Sequence, residues 1–72
     1  MKLFGVLLTP IRVSGTHRWC HAVSDDEQAL QECARRLKKN INKDGRGLHI
    51  DLNEHERELA LRYGAQEAQN DV

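Results

Sequence analysis

The sequence predicts a small α+β domain in which a β-hairpin and a third strand pack on one main helix, with the element order β-β-α-β-α. Three segments predict this class: an apolar stretch near the amino end, a strongly amphipathic stretch after it, and a strictly alternating stretch in the second half. The chain has 72 residues, 39% of them hydrophobic and 31% charged, which is ordinary globular usage. We assign residues 1–64 to one compact domain and residues 65–72 to a flexible tail.

The first two strands are predicted to form a hairpin. Residues 2–13 are rich in Leu, Ile, Val and Phe, which suit a strand. Pro10 interrupts them and cannot donate to a strand ladder, so it should lie at a bulge or on an open edge. Ser14 and Gly15 then form a turn, and residues 16–23 return as the second strand.

The main helix is predicted over residues 24–41. Ser24 and Glu27 have the spacing of a capping box, in which the serine hydroxyl caps the first turn. Acidic residues fill the first turn and basic residues the last turns, which matches the helix dipole. The apolar positions follow a 3.6-residue period and define one buried face: Leu30, Cys33, Ala34, Leu37 and Ile41.

A turn over residues 42–45 separates the helix from the third strand, residues 47–52. The apolar residues of this strand alternate with His49 and Asp51, so one of its faces should be buried and the other wet. The short second helix that follows is predicted to begin after the next residue, Asn53, because Asn at a cap with Glu three positions later is a second capping-box pattern.

The overall charge excludes some classes of function and favours another. The chain carries 11 Lys and Arg against 11 Asp and Glu, which argues against a general nucleic-acid binder. The charge is polarised: residues 1–46 carry +4 and residues 47–72 carry −4. Such a distribution suits oriented docking on another protein, although a solvated surface with chance asymmetry explains it at least as well.

Two cysteines are too few for a disulfide scaffold, and no stretch is long enough for a membrane span or forms a clear signal peptide. We therefore expect a cytoplasmic protein without a membrane association, with both thiols reduced. The sequence leaves open whether it is a monomer or a homodimer.

The segment around His17, Cys20 and His21 invites a zinc interpretation together with Cys33. The spacing matches no zinc finger. On a strand His17 and His21 lie about 13 Å apart, too far to share one ion, and Cys20 points to the opposite face. We therefore predict no metal and no cofactor. The tryptophan between them, Trp19, is either the main core residue of the hairpin or an exposed binding anchor, and we favour the core because Trp buries a large area.

No catalytic residue set is predicted. Neighbours on a strand point to opposite faces, so His21 cannot easily act as the base for Cys20. A chain of this size also offers little scaffold for a cleft. We therefore expect a protein that is not an enzyme.

The order of the elements provides one resemblance. A hairpin, a helix that starts with the acidic sequence Ser-Asp-Asp-Glu-Gln-Ala-Leu and one further strand resemble small phage-encoded host-takeover proteins, over residues 2–52. The resemblance implies a stoichiometric inhibitor of a host protein machine such as RNA polymerase or a CRISPR effector. It assigns no individual residue.

The predicted function is therefore a protein-binding regulator or inhibitor. The alternative is a small nucleic-acid-binding regulator that uses the basic end of the main helix and the loop at residues 43–47. The predicted partner-binding residues form a basic set and an opposing acidic set: Arg35, Arg36, Lys39, Lys43 and Arg46, with Glu54, Glu56 and Glu58.

Overall fold

The computed structural model describes residue 3, residues 5–44 and residues 47–68. They form a mixed β-sheet with two helices packed on one face, which confirms the predicted α+β class. The strands are β1 (Leu7–Leu8), β2 (Arg12–Ser14), β3 (His17–Val23), β4 (Asn42–Asp44), β5 (Gly47–Asn53) and β6 (Gln66–Glu67), and the helices are α1 (Glu27–Leu37) and α2 (Glu54–Arg62).

The strands lie in the order β4-β5-β3-β1-β6, and β2 also pairs with β3. All the pairs are antiparallel except β1 with β6, which is parallel. β3 and β5 are the longest strands, with seven residues each, and they lie side by side in the middle of the sheet. Their side chains therefore stand on the most firmly held part of the backbone.

The predicted first strand is divided in two by a bulge. Leu8 lies opposite Ala22 and Arg12 lies opposite Trp19, so three residues on one strand face two on the other. Within this segment Thr9 N donates to the carbonyl oxygen of the residue opposite it at 2.9 Å. Of the two positions predicted for Pro10, a bulge or an open edge, the register therefore shows the bulge.

The hairpin turn lies one residue later than predicted. Ser14 pairs with His17, so the central residues of the turn are Gly15 and Thr16. Gly15 has φ of +63°, and a turn of this kind favours glycine at its first central position. The placement of Ser14 in the turn was therefore wrong.

The predicted cap of the main helix was also wrong. The N-cap of α1 is Asp26, whose carboxylate accepts hydrogen bonds from the backbone of the first turn, from Gln28 N at 3.0 Å and Ala29 N at 3.4 Å. The Ser24 hydroxyl instead donates to Gly5 O at 2.7 Å and accepts from Asp26 N at 3.0 Å. It fixes the chain just before the helix.

The helix ends earlier than predicted, at Leu37. Lys38 follows in the left-handed conformation with φ of 56°, which ends the α-helix, so Ile41 packs on the core from outside it. The predicted turn at residues 42–45 is largely the strand β4, with Asn42 paired to His49. β4 and β5 form a second hairpin.

The second helix has the predicted cap. Asn53 Oδ1 accepts from Glu56 N at 2.7 Å, and Glu56 Oε1 accepts from Asn53 N at 2.9 Å. The compact unit extends past residue 64, however. Ala65 is buried and β6 lies against β1, so residues 65–68 belong to the fold rather than to the predicted tail. Residues 69–72 lie outside the described residues.

The core lies between the sheet and the helices, on what we call the inner face of the sheet. Its fully buried members from β1, β3, β5 and α1 include Leu8, Cys20, Ala22, Leu30, Cys33, Ile50 and Leu52. In the described part of the chain, no helix is long and apolar enough to cross a membrane.

A buried arginine ties α2 to two strands. Arg57 is only 9% exposed, and its Nε donates to Thr9 O at 3.2 Å. Its guanidinium also donates to Glu67 Oε1 at 3.0 Å. This side chain therefore binds the bulge after β1 and the strand β6 to the same helix.

Candidate functional site

The opposite surface of the sheet, the outer face, is not covered by either helix of the described residues. Along β3 the side chains alternate, so Cys20 and Ala22 point to the core while Trp19, His21 and Val23 point outwards. Trp19 is partly exposed and is not a member of the core, so the prediction that it fills the core was wrong.

Three aromatic rings form a row across the outer face. The ring centroids of Trp19 and His21 are 4.9 Å apart, and those of His21 and His49 are 4.8 Å apart, both in edge-to-face contacts. The guanidinium of Arg12, from β2, lies 5.9 Å from the Trp19 centroid. The row brings together side chains from both hairpins.

An acidic residue lies beside the two histidines. Asp51 pairs with His21 in the register of β3 and β5. Asp51 Oδ1 is 3.1 Å from His21 Nε2 and 3.7 Å from His49 Nε2. The other carboxylate oxygen accepts a hydrogen bond from Asn42 Nδ2 at 3.4 Å.

One cleft opens on this face, and a second lies beside Trp19, where β5 leads into α2. The larger, of about 770 Å³, is lined by His21, His49, Val23 and the segment before α1. The smaller has about 460 Å³ and lies at the other end of β3, where Trp19, His17, Lys39 and Glu56 line it. We call this smaller cleft the Trp19 groove.

The predicted basic residues of α1 lie on the surface, but they are paired. Arg35 donates to Glu32 with a shortest distance of 2.6 Å, and this hydrogen bond lowers the pKa of the Glu32 carboxyl. Arg36 lies 3.4 Å from the same carboxylate and stacks over the ring of Tyr63 at 5.3 Å. Glu32 therefore balances one of their two positive charges.

The predicted basic and acidic sets meet at one point. Lys39 Nζ is 3.2 Å from Glu56 Oε1, and both line the Trp19 groove. Glu54 pairs with Arg18 of β3 at 3.0 Å. Of the remaining predicted residues, Lys43 and Glu58 are exposed, and Arg46 lies outside the described residues.

Both thiols are free and fully buried among apolar side chains. Burial raises the pKa of Cys20 and raises that of Cys33 to about 11, so both stay protonated at neutral pH. Cys20 points inwards and His21 outwards, as the sequence predicts. The arrangement does not pair a thiol with a base.

Sequence reasoning missed two features, the meeting of His21 with His49 and Asp51 and the buried Arg57. Of the two interpretations of Trp19 it favoured the wrong one, the core. The alternation around His49 and Asp51 does signal a wet face.

Comparisons with protein-family models, curated proteins and solved structures found no match to this chain.

Proposed function

We propose that this protein is a small non-enzymatic regulator that acts stoichiometrically by occupying a surface of a larger host protein. The observation that carries the proposal is the partly exposed Trp19 on the uncovered sheet face, with the Arg12 guanidinium against its ring. Trp and Arg are enriched among the residues that contribute most to protein–protein binding. Through its element order, the proposal extends to targets such as a host RNA polymerase or a CRISPR effector.

The Trp19 groove is the contact region that the geometry supports. It combines an aromatic side chain with a cation, Lys39, and an anion, Glu56, and the exposed His17 lies at its margin. A buried aromatic anchor with a charged rim is the usual composition of a protein interface. The rim charges would set the orientation and the rate of association more than the affinity.

Two further observations bear on the competing function and on the compartment. Arg35 and Arg36 are both paired with Glu32, which reduces their capacity to bind phosphates, so nucleic acid is kept only as an outcome of the test below. The proposal places the protein in the cytoplasm, where unpaired thiols such as Cys20 and Cys33 remain reduced.

The test is capture from host lysate, with and without nuclease, followed by measurement of the affinity for the purified partner. We expect one protein at a 1:1 ratio, retained after nuclease treatment. Trp19→Thr should weaken its binding at least about tenfold, because threonine suits a strand but removes the aromatic anchor.

Two variants complete the design. His17→Asp alters the margin of the groove through an exposed side chain, so it tests the site even if Trp19→Thr unfolds. Arg62→Ala is the matched control. Arg62 is exposed in the last turn of α2, whereas the groove residue Glu56 lies in the first turn, so this change leaves the groove intact. Unchanged affinity in both groove variants, capture that nuclease abolishes, or catalytic turnover of the partner would each refute the proposal.

A further inference from the structure

We propose that His21, His49 and Asp51 form a binding site for one divalent transition-metal ion of the Zn²⁺ type. The site does not depend on the proposed protein-binding function, and its ligands differ from those of the zinc interpretation that the sequence disfavours. That interpretation needed His17 and Cys20. His17 lies too far along β3 from His21, and Cys20 points to the other face of the sheet. The proposed donors come from two neighbouring strands.

The backbone places the three side chains together. His21 and Asp51 are directly opposite each other in the antiparallel pair of β3 and β5, and His49 is two residues before Asp51 on the same face. Both strands have a neighbour on each side, since β5 lies between β4 and β3 and β3 lies between β5 and β1. Donors on such strands are held more firmly than donors on loops.

The donor atoms converge. His21 Nε2 and His49 Nε2 lie 3.1 and 3.7 Å from the same atom, Asp51 Oδ1, and the donor atoms of all three residues lie within 4.8 Å of one another. Ligands bound to one zinc at about 2.0–2.2 Å stand about 3.4 Å apart in a tetrahedron. Two of the three separations already suit an ion, and the third, between the two imidazoles, needs to close by at most about 1.4 Å when the ion binds.

The surroundings orient these donors. The His21 and His49 side chains are 21% and 15% exposed, and the Trp19 and His21 rings are in edge-to-face contact. Asn42 donates to the second oxygen of Asp51, which leaves Oδ1 directed towards the histidines. Contacts of this kind to the ligands themselves increase the affinity of metal sites.

The donor set also selects the ion. Two imidazoles and one carboxylate suit Zn²⁺, Co²⁺, Ni²⁺ and Cu²⁺, whereas Mg²⁺ and Ca²⁺ prefer oxygen ligands alone. Three protein ligands leave a fourth position of the tetrahedron open. His21 and His49 also line the cleft of about 770 Å³, so this position is accessible to water or to a small ligand.

The experiment titrates the chelator-treated protein with Co²⁺, followed by its visible absorption, and with Zn²⁺, followed by calorimetry. We expect one ion per chain at micromolar protein concentrations. His49→Gln, His21→Gln and Asp51→Asn should each lower the affinity at least tenfold. These side chains lie on the outer face, so circular dichroism should show an unchanged fold.

The matched control is the double variant His17→Ala, His55→Ala, which removes the two exposed histidines outside the cluster. It should bind Co²⁺ as the wild type does. Absence of saturable binding in the wild type would overturn the proposal. Binding that survives His21→Gln and His49→Gln together, or that is lost in the control, would do so as well. In those cases the three residues form only an ion-paired cluster.

Discussion

The stability of the fold should depend strongly on Arg57, although it lies in a short polar helix. The change that tests this is Arg57→Met, which keeps the apolar stem and removes the guanidinium. Thr9 is 1% exposed, so its carbonyl oxygen loses a buried hydrogen bond with Arg57 Nε. Leaving such a group unsatisfied costs about 1–3 kcal/mol.

The loss of the ion pair between Arg57 and Glu67 costs less free energy. The Glu67 side chain is 61% exposed, so water screens its pair with Arg57, and its loss costs about 0.2–1 kcal/mol. The two losses together come to about 1–4 kcal/mol. The whole free energy of unfolding expected for a chain of 72 residues is roughly 4–11 kcal/mol. Arg57→Met should therefore remove a large fraction of the free energy of unfolding.

Urea denaturation measures this change, and amide hydrogen exchange shows where it acts. The amides of Gln66 and Ala68, which bind the carbonyls of Val6 and Leu8, should lose protection first as β6 separates. Glu67→Gln is the control, because it removes only the exposed charge. Arg57→Met with less than about half a kcal/mol of destabilisation, or a Glu67→Gln loss of equal size, would refute the reasoning.

Three further predictions concern stability. Asp26→Ala should cost about 1 kcal/mol in urea denaturation through the lost cap, and an equal loss in the exposed neighbour Asp25→Ala would contradict this. The raised pKa of Cys33 means that the folded state keeps this proton longer than the unfolded state, so stability should fall by up to about 3 kcal/mol as the pH rises from 9.0 to about 11. The same pH slope in Cys33→Ala would disprove that cause. Lys39→Glu should lower the free energy of unfolding by about 0.2–1 kcal/mol, because repulsion replaces the pair with Glu56. In 1 M salt the difference from the wild type should shrink, and a difference that salt leaves unchanged would argue against an electrostatic origin.

Local patterns predicted much of the fold. The alternation that places His49 and Asp51 on a wet face, and the cap at Asn53, depend on residues close in sequence, so both were confirmed. The cap of α1 was misassigned because Ser24 and Asp26 are both good caps. A contact with Gly5, distant in sequence, engages the serine and leaves the aspartate to cap.

The candidate site depends on contacts that have no local signal. No local pattern in the sequence indicates that β5 pairs with β3, or that Asp51 lies opposite His21 rather than opposite a neighbouring residue. A shift of the register by one residue would place these side chains on opposite faces of the sheet. Arg57 was missed for a related reason. Its partner is the backbone carbonyl of Thr9, which lies in the bulge, and the bulge is a property of two strands together.

The parallel pair of β1 and β6 has a consequence for synthesis of the chain. It joins segments about 60 residues apart, so β1 can gain this neighbour only after nearly all of the described residues have left the ribosome. Until then its apolar residues, Leu7 and Leu8, lie on an open edge that can pair with other chains. A nascent chain that lacks β6 should therefore aggregate more readily than the folded protein, in which β6 covers that edge with Gln66 and Glu67.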